Sequence, residues 1–130
     1  MKKTLKMVDI ARACMQLEKL QEQALPLRIS YQLDKLAAKI ERPFRFYSEK
    51  EMDLLQKYPP DQQDGTSVHF PSQEICDQYN AEHAELDGIE EEIEFMPVRV
   101  DINTNLKISQ NGLRILREAG MLEIIGEEAQ

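Results

Sequence analysis

"LPLRISYQLDKLAAKIERPFRFYSEKEMDLLQKY", Leu25–Tyr58, is the stretch whose reading decides the fold of this chain. Apolar residues recur at Ile29, Leu33, Leu36, Ile40, Phe44 and Tyr47, and the row resumes at Leu54, Leu55 and Tyr58. Spacings of three and four put them on one face of an α-helix. Pro43 falls inside the row. A proline there removes the hydrogen bond to the carbonyl of Lys39 and crowds it. Two outcomes follow: one kinked helix, or two helices meeting near Glu41-Arg42. The row keeps its phase across Pro43, which predicts a kinked, continuous helix of about 30 residues, ~45 Å long. Pro59-Pro60 ends it.

Upstream, Thr4 to Gln23 carries Met7, Ile10, Cys14 and Leu17, with a second row at Val8, Ala11 and Met15. This is a first helix with one broad apolar face, expected to pack antiparallel on the long one. Leu25-Pro26 separates the two, and Pro26 suits a helix start. Downstream, "PPDQQDGTSVHFP" reads as a polar loop, a turn at Asp64-Gly65 and a short strand at Thr66–Phe70. Ser72 is placed to cap a third helix to Leu86, with Ile75, Tyr79 and Leu86 inward and Cys76 and His83 nearby. "IEFMPVRVDI" reads as a strand bent at Pro97, with Phe95, Val98, Val100 and Ile102 as its apolar members. Ser109 caps a last short helix to Ala119, with Leu113 and Leu116 inward and Gly120 as its stop. Met121–Ile125 is left as a final strand or an extended tail. The expected fold is α+β: a long Pro-kinked helix on an N-terminal helix, an acidic third helix, a small β-sheet and a short C-terminal helix. Residues 1–130 form one domain in this reading, with a helical spine at 4–58, a loop at 59–65, an α/β part at 66–125 and a tail at 126–130.

With 130 residues, of which 42% are hydrophobic and 31% charged, the chain suits one packed domain. No apolar run approaches the ~18 residues of a membrane span, and Asp9 and Arg12 interrupt any signal-peptide core. Cys14 and Cys76 lack metal-ligand spacing and read as free thiols in a reducing cytoplasm. The net charge of −8 is unevenly spread. Residues 1–57 hold 12 Lys/Arg and 8 Asp/Glu, whereas residues 58–130 hold 4 and 16. Between Pro71 and Val98 there are nine acids and no Lys or Arg. Such a segment repels phosphates and attracts basic proteins, or serves only to keep the chain soluble.

Motifs of chemistry are sparse. His83 lies among Glu82, Glu85 and Asp87, but one histidine and helix carboxylates do not make the convergent set that zinc needs, and His69 would have to fold back to join. Glu90, Glu91, Glu92 and Glu94 lack the spacing and mid-loop glycine of a calcium loop. There is no nucleophile elbow and no glycine-rich phosphate loop. The reading is therefore non-enzymatic, with no catalytic residue, cofactor or metal. "ISQNGLRILREAGMLEII" resembles a winged-helix recognition helix, but strand and turn precede it and only Arg114 and Arg117 could meet phosphate. Direct DNA binding is not expected. Phe46, off the apolar row, makes a basic-aromatic patch with Arg42 and Arg45 if exposed, and otherwise packs under the first helix.

The residues Leu25-Pro26, Ser30-Tyr31, Glu41-Arg42-Pro43, Tyr47-Ser48-Glu49 and Lys57-Tyr58 resemble the shared pattern of a family of short uncharacterised proteins from tailed-phage and prophage genomes. Gly65, Pro71–Leu86, Ile93–Phe95 and Ile108–Leu113 extend the likeness loosely over most of the chain, while Arg42 before the proline and Gly120-Met121 depart from it. The resemblance implies a fold, a phage origin and the cytoplasm of a bacterial host. It assigns no catalytic residue. The expected function is binding of another protein, of phage or host, in assembly or in the infected cytoplasm. Glu82, Glu85, Asp87, Glu90, Glu91, Glu92 and Glu94 are the expected contact residues. The alternative is an anti-CRISPR-like inhibitor of host defence whose carboxylates mimic nucleic acid phosphates. A small metal-dependent enzyme or a winged-helix DNA binder ranks below both. The partner and the oligomeric state stay open.

Overall fold

A computed structural model describes residues 2–64 and 67–126. The elements run β1 (Lys2–Lys6), α1 (Met7–Gln21), α2 (Leu27–Lys57), β2 (Gln62–Asp64), β3 (Ser67–His69), α3 (Gln73–Asp87), β4 (Glu90–Glu94), β5 (Val98–Asp101), α4 (Gln110–Glu118) and β6 (Leu122–Ile125). The fold is α+β, as the sequence predicts.

α2 is one helix of 31 residues, about 47 Å long, and it runs unbroken through Pro43. The two-helix alternative is excluded. Lys39 is exposed, so the carbonyl that Pro43 deprives of an N–H lies on the wet side of the helix, where water can satisfy it. Ile29, Leu33, Leu36, Ile40 and Tyr47 are buried, and Phe44 and Leu54 pack against the core edge. α1 lies antiparallel on this row, with Ile10, Ala13, Leu17 and Leu20 at or near zero exposure. The Gln21 amide donates to Asp34 Oδ1 at 2.9 Å near the connection, and Cys14 borders Glu41 and Phe44 further along.

Three corrections concern the flanking elements. The first helix does not begin at Thr4: residues 2–6 are a strand, paired antiparallel with β4 in the register Lys2 to Glu94, Thr4 to Glu92 and Lys6 to Glu90. Leu5 and Ile93 turn to the core, Lys2 and Lys6 stand opposite Glu94 and Glu90 in the register, and Lys3 Nζ donates to the Glu118 carbonyl at 2.9 Å. Met15 is exposed rather than part of a second apolar row. The bent strand predicted at 93–102 is two strands, broken over Phe95–Pro97, and Ile102 beyond them is exposed. The six strands form three two-stranded ladders: β1–β4 and β2–β3 antiparallel, β5–β6 parallel. The turn predicted at Asp64-Gly65 and the strand start at Thr66 lie partly outside the described residues.

The Ser72 hydroxyl accepts from Ile75 N at 3.2 Å and that of Ser109 from Gly112 N at 3.0 Å, so both predicted caps form. Gly120, at φ +73°, ends α4. α4 then bridges β5 and β6 as a parallel crossover, and β6 does not fold back as an antiparallel wing. Gly112 packs so closely on α1 that a Cβ there would overlap the Gln16 side chain.

The seam between α1 and α2 should dominate stability. Leu33→Ala is expected to cost about 2–5 kcal/mol in urea unfolding. Tyr31→Ala, two residues earlier and on the exposed side, should stay within about 0.5 kcal/mol.

Candidate protein-binding site

α3 is amphipathic only weakly. Of its 15 residues only Leu86 is buried, with Ile75, Cys76, Tyr79, Glu82, His83 and Asp87 half-buried. An edge so poor in aliphatic side chains needs another means of docking, and a polar clamp supplies it. His83 stands between two carboxylates: Nε2 is 2.9 Å from Glu51 Oε2 on α2, and Nδ1 is 3.2 Å from Asp87 Oδ2 one turn along α3. The Tyr47 hydroxyl donates to Asp87 Oδ1 at 2.7 Å. The Tyr47 ring meets the imidazole edge-on, and Tyr79 and Phe70 extend the stack beyond it. With an acceptor at each nitrogen, the ring is satisfied at both only as the doubly protonated imidazolium. Burial by itself lowers the His83 pKa, but Glu51 and Asp87 outweigh it and the net direction is upward. Tyr47 moves well above its ordinary range through burial and through Asp87.

The seven acids singled out in the sequence have different surroundings. Asp87 belongs to the clamp. Glu82 receives Lys57 Nζ at 2.9 Å, and the Tyr58 hydroxyl and Lys57 together hold its carboxyl below the ordinary range. Glu90 and Glu94 stand opposite Lys6 and Lys2. Glu85, Glu91 and Glu92 are exposed, and among the described residues no cation pairs with them. Neither α3 nor β4 contains a lysine or arginine, so the segment remains strongly negative where β1 does not cover it.

Other candidate chemistry is accounted for by burial and pairing. His83 is half-buried, not exposed as a lone histidine in an acidic field would be. His69 lies apart, with Nδ1 2.8 Å from Asp61 Oδ1. Among the described residues no group of three or more His, Cys, Asp or Glu is arranged to hold a metal ion. Cys14 is buried, and burial with Glu18 and Glu41 pushes its thiol up to about 11. Phe46 is exposed, with Lys50 Nζ 5.7 Å from its ring centre, which decides between its two predicted placements.

The clamp was missed in the sequence although its parts were visible. Tyr47 and Glu51 are four apart on α2, and His83 and Asp87 are four apart on α3, so each pair lies on one helical face. What one sequence does not reveal is that these two faces meet. Compared with protein-family models, characterised proteins and solved structures, the chain matches none. No helix among the described residues is long and apolar enough to cross a membrane.

The clamp has a definite pH signature. A raised folded-state pKa means its contribution is complete below the ordinary histidine value of 6.5 and fades as pH rises through the folded value. Urea midpoints taken from about pH 6 to about pH 9 should fall in the native protein relative to His83→Gln, whereas parallel curves would remove the imidazolium from the clamp. Tyr47→Phe is expected to cost about 1–2 kcal/mol at neutral pH.

Proposed function

We propose that this chain is a non-enzymatic binding protein of phage or prophage origin, whose acidic α3–β4 segment engages a basic partner protein in assembly or in the host cytoplasm. The observation that carries the reading is an exposed helix followed by a strand, with nine carboxylates and no cation between them in sequence. Opposite charge steers encounter and fixes orientation. Glu85, Glu91 and Glu92, which have no cation to give up, make the first contacts, and the half-exposed Glu82 and the ladder acids Glu90 and Glu94 join them. Asp87 holds α3 in place behind the surface. His83 has carboxylates at both nitrogens and Cys14 is buried, so neither is presented as a free base or nucleophile.

The second reading is inhibition of a host defence by phosphate mimicry. Alternate residues Glu90, Glu92 and Glu94 project on one side of β4, roughly 7 Å apart, which suits a groove built for a nucleic acid backbone. Lys2 and Lys6 count against it, because the ladder register sets a cation opposite two of the three.

The test is capture of partners from infected bacterial cells at low and high salt, with native protein and with the Glu85→Lys/Glu91→Lys/Glu92→Lys variant. A specific partner held by the native protein should be lost by the variant while its helical circular dichroism stays unchanged. Equal retention by the variant would make the acidic segment merely solubilising. Displacement of the partner by duplex DNA would select the mimicry reading.

A further inference from the structure

The long helix has a second edge of opposite character. Arg28, Tyr31, Lys35, Lys39, Arg42 and Phe46 follow one another at spacings of three and four, and all are exposed. The acids Asp34 and Glu41 of the same helix lie on its other side, toward α1. Among the described residues no carboxylate forms an ion pair with Arg28, Lys35, Lys39 or Arg42. In a chain of net charge −8, four cations without a carboxylate partner along one helix edge are a local inversion of sign.

Beside this edge lies a groove of about 450 Å³ between α2 and the Glu94–Pro97 connection. Leu36 and Phe95 are buried at its base, while Tyr31 and Met96 stand 67% and 64% exposed at its walls. Lys35, Lys39 and Arg99 supply its charge, against the single acid Glu94. Arg99 is shared with Glu123 at 3.4 Å on the outside. The edge of β5 that faces α2 is already capped, because Gln32 Oε1 accepts from Arg99 N at 2.9 Å. An occupant therefore does not add a strand. It inserts a side chain.

We propose that this groove takes a short acidic segment of a partner protein, anchored by one apolar or aromatic side chain. The anchor lies against Tyr31, Met96 and Pro97, and flanking carboxylates meet Lys35 and Lys39. A nucleic acid offers the negative charge, but a phosphate backbone leaves the methionine and proline wall uncovered, and the −8 chain repels a long polyanion more than a few carboxylates. This surface meets the acidic segment of α3 and β4 only at Glu94 and has the opposite charge, so, resting on the reading proposed above, its partner differs in kind from the basic one.

Fluorescence anisotropy with the full chain tests it. The probes are a labelled Glu-Asp-Phe-Asp-Glu peptide, its Phe→Ala form, and a labelled single-stranded oligonucleotide. The acidic phenylalanine peptide should bind. Loss of its ring, Tyr31→Ala, or Lys35→Glu/Lys39→Glu should each weaken binding about tenfold, while Glu22→Lys, exposed at the end of α1 and outside both surfaces, leaves it unchanged. No binding, tighter binding of the oligonucleotide, or indifference to the ring would overturn the proposal. So would sedimentation showing a dimer that Lys35→Glu/Lys39→Glu dissociates, which would make a second copy of this chain the occupant.

Discussion

The structure depends on one apolar seam, where Ile10, Ala13, Leu17 and Leu20 of α1 meet Ile29, Leu33, Leu36 and Ile40 of α2. Each fully buried aliphatic side chain there contributes about 1.5–3 kcal/mol. Among the described residues no other junction combines so many. The ladders are short, two strands each, and would not persist alone in water. They are held because Leu5, Ile93, Val98 and Val100 turn onto the core that the seam has already organised.

A helix of 31 residues in so small a protein has more surface than one neighbour can cover. One side packs on α1. The C-terminal part receives α3, through a clamp of Tyr47, Glu51, His83 and Asp87 rather than through aliphatic packing. The remaining edge faces water and carries the cations. Separation of charge is confined to the N-terminal half of α2, where Asp34 and Glu41 turn toward α1 while Arg28, Lys35, Lys39 and Arg42 face water; Glu49 and Asp53 lie further along at the cations' own helical angle. The proposed functions use the two sides in different ways: the acidic segment for a basic partner, the basic groove for an acidic one.

The local signals were legible where they were strongly periodic or chemically specific. The apolar row that keeps its phase across Pro43 announced a continuous helix, and Ser72, Ser109 and Gly120 marked helix ends by mechanisms that act within a few residues. The misses are non-local. Thr4–Lys6 reads as the start of a helix because Met7, Ile10, Cys14 and Leu17 follow it in helical phase, and its partner strand lies more than 80 residues away. The acids at 90–94 appear as a bare charge run until the register sets two of them opposite lysines. Likewise His83 looks solitary until α3 is laid against Glu51. In each case a pairing between distant segments gives the residue its role, and periodicity along the chain carries no record of it.

α2 is a single partition, continuous past its proline, with the basic edge exposed along its N-terminal half and α3 docked on its C-terminal half. Pulsed electron resonance between spin labels at Arg28→Cys and Asp53→Cys, with Cys14 and Cys76 replaced, measures it most directly. Twenty-five residues of unbroken helix predict one narrow distance near ~38 Å. A broad distribution, or a peak shortened by ~10 Å or more, would mean that the chain folds back at Pro43 and that the partition does not exist.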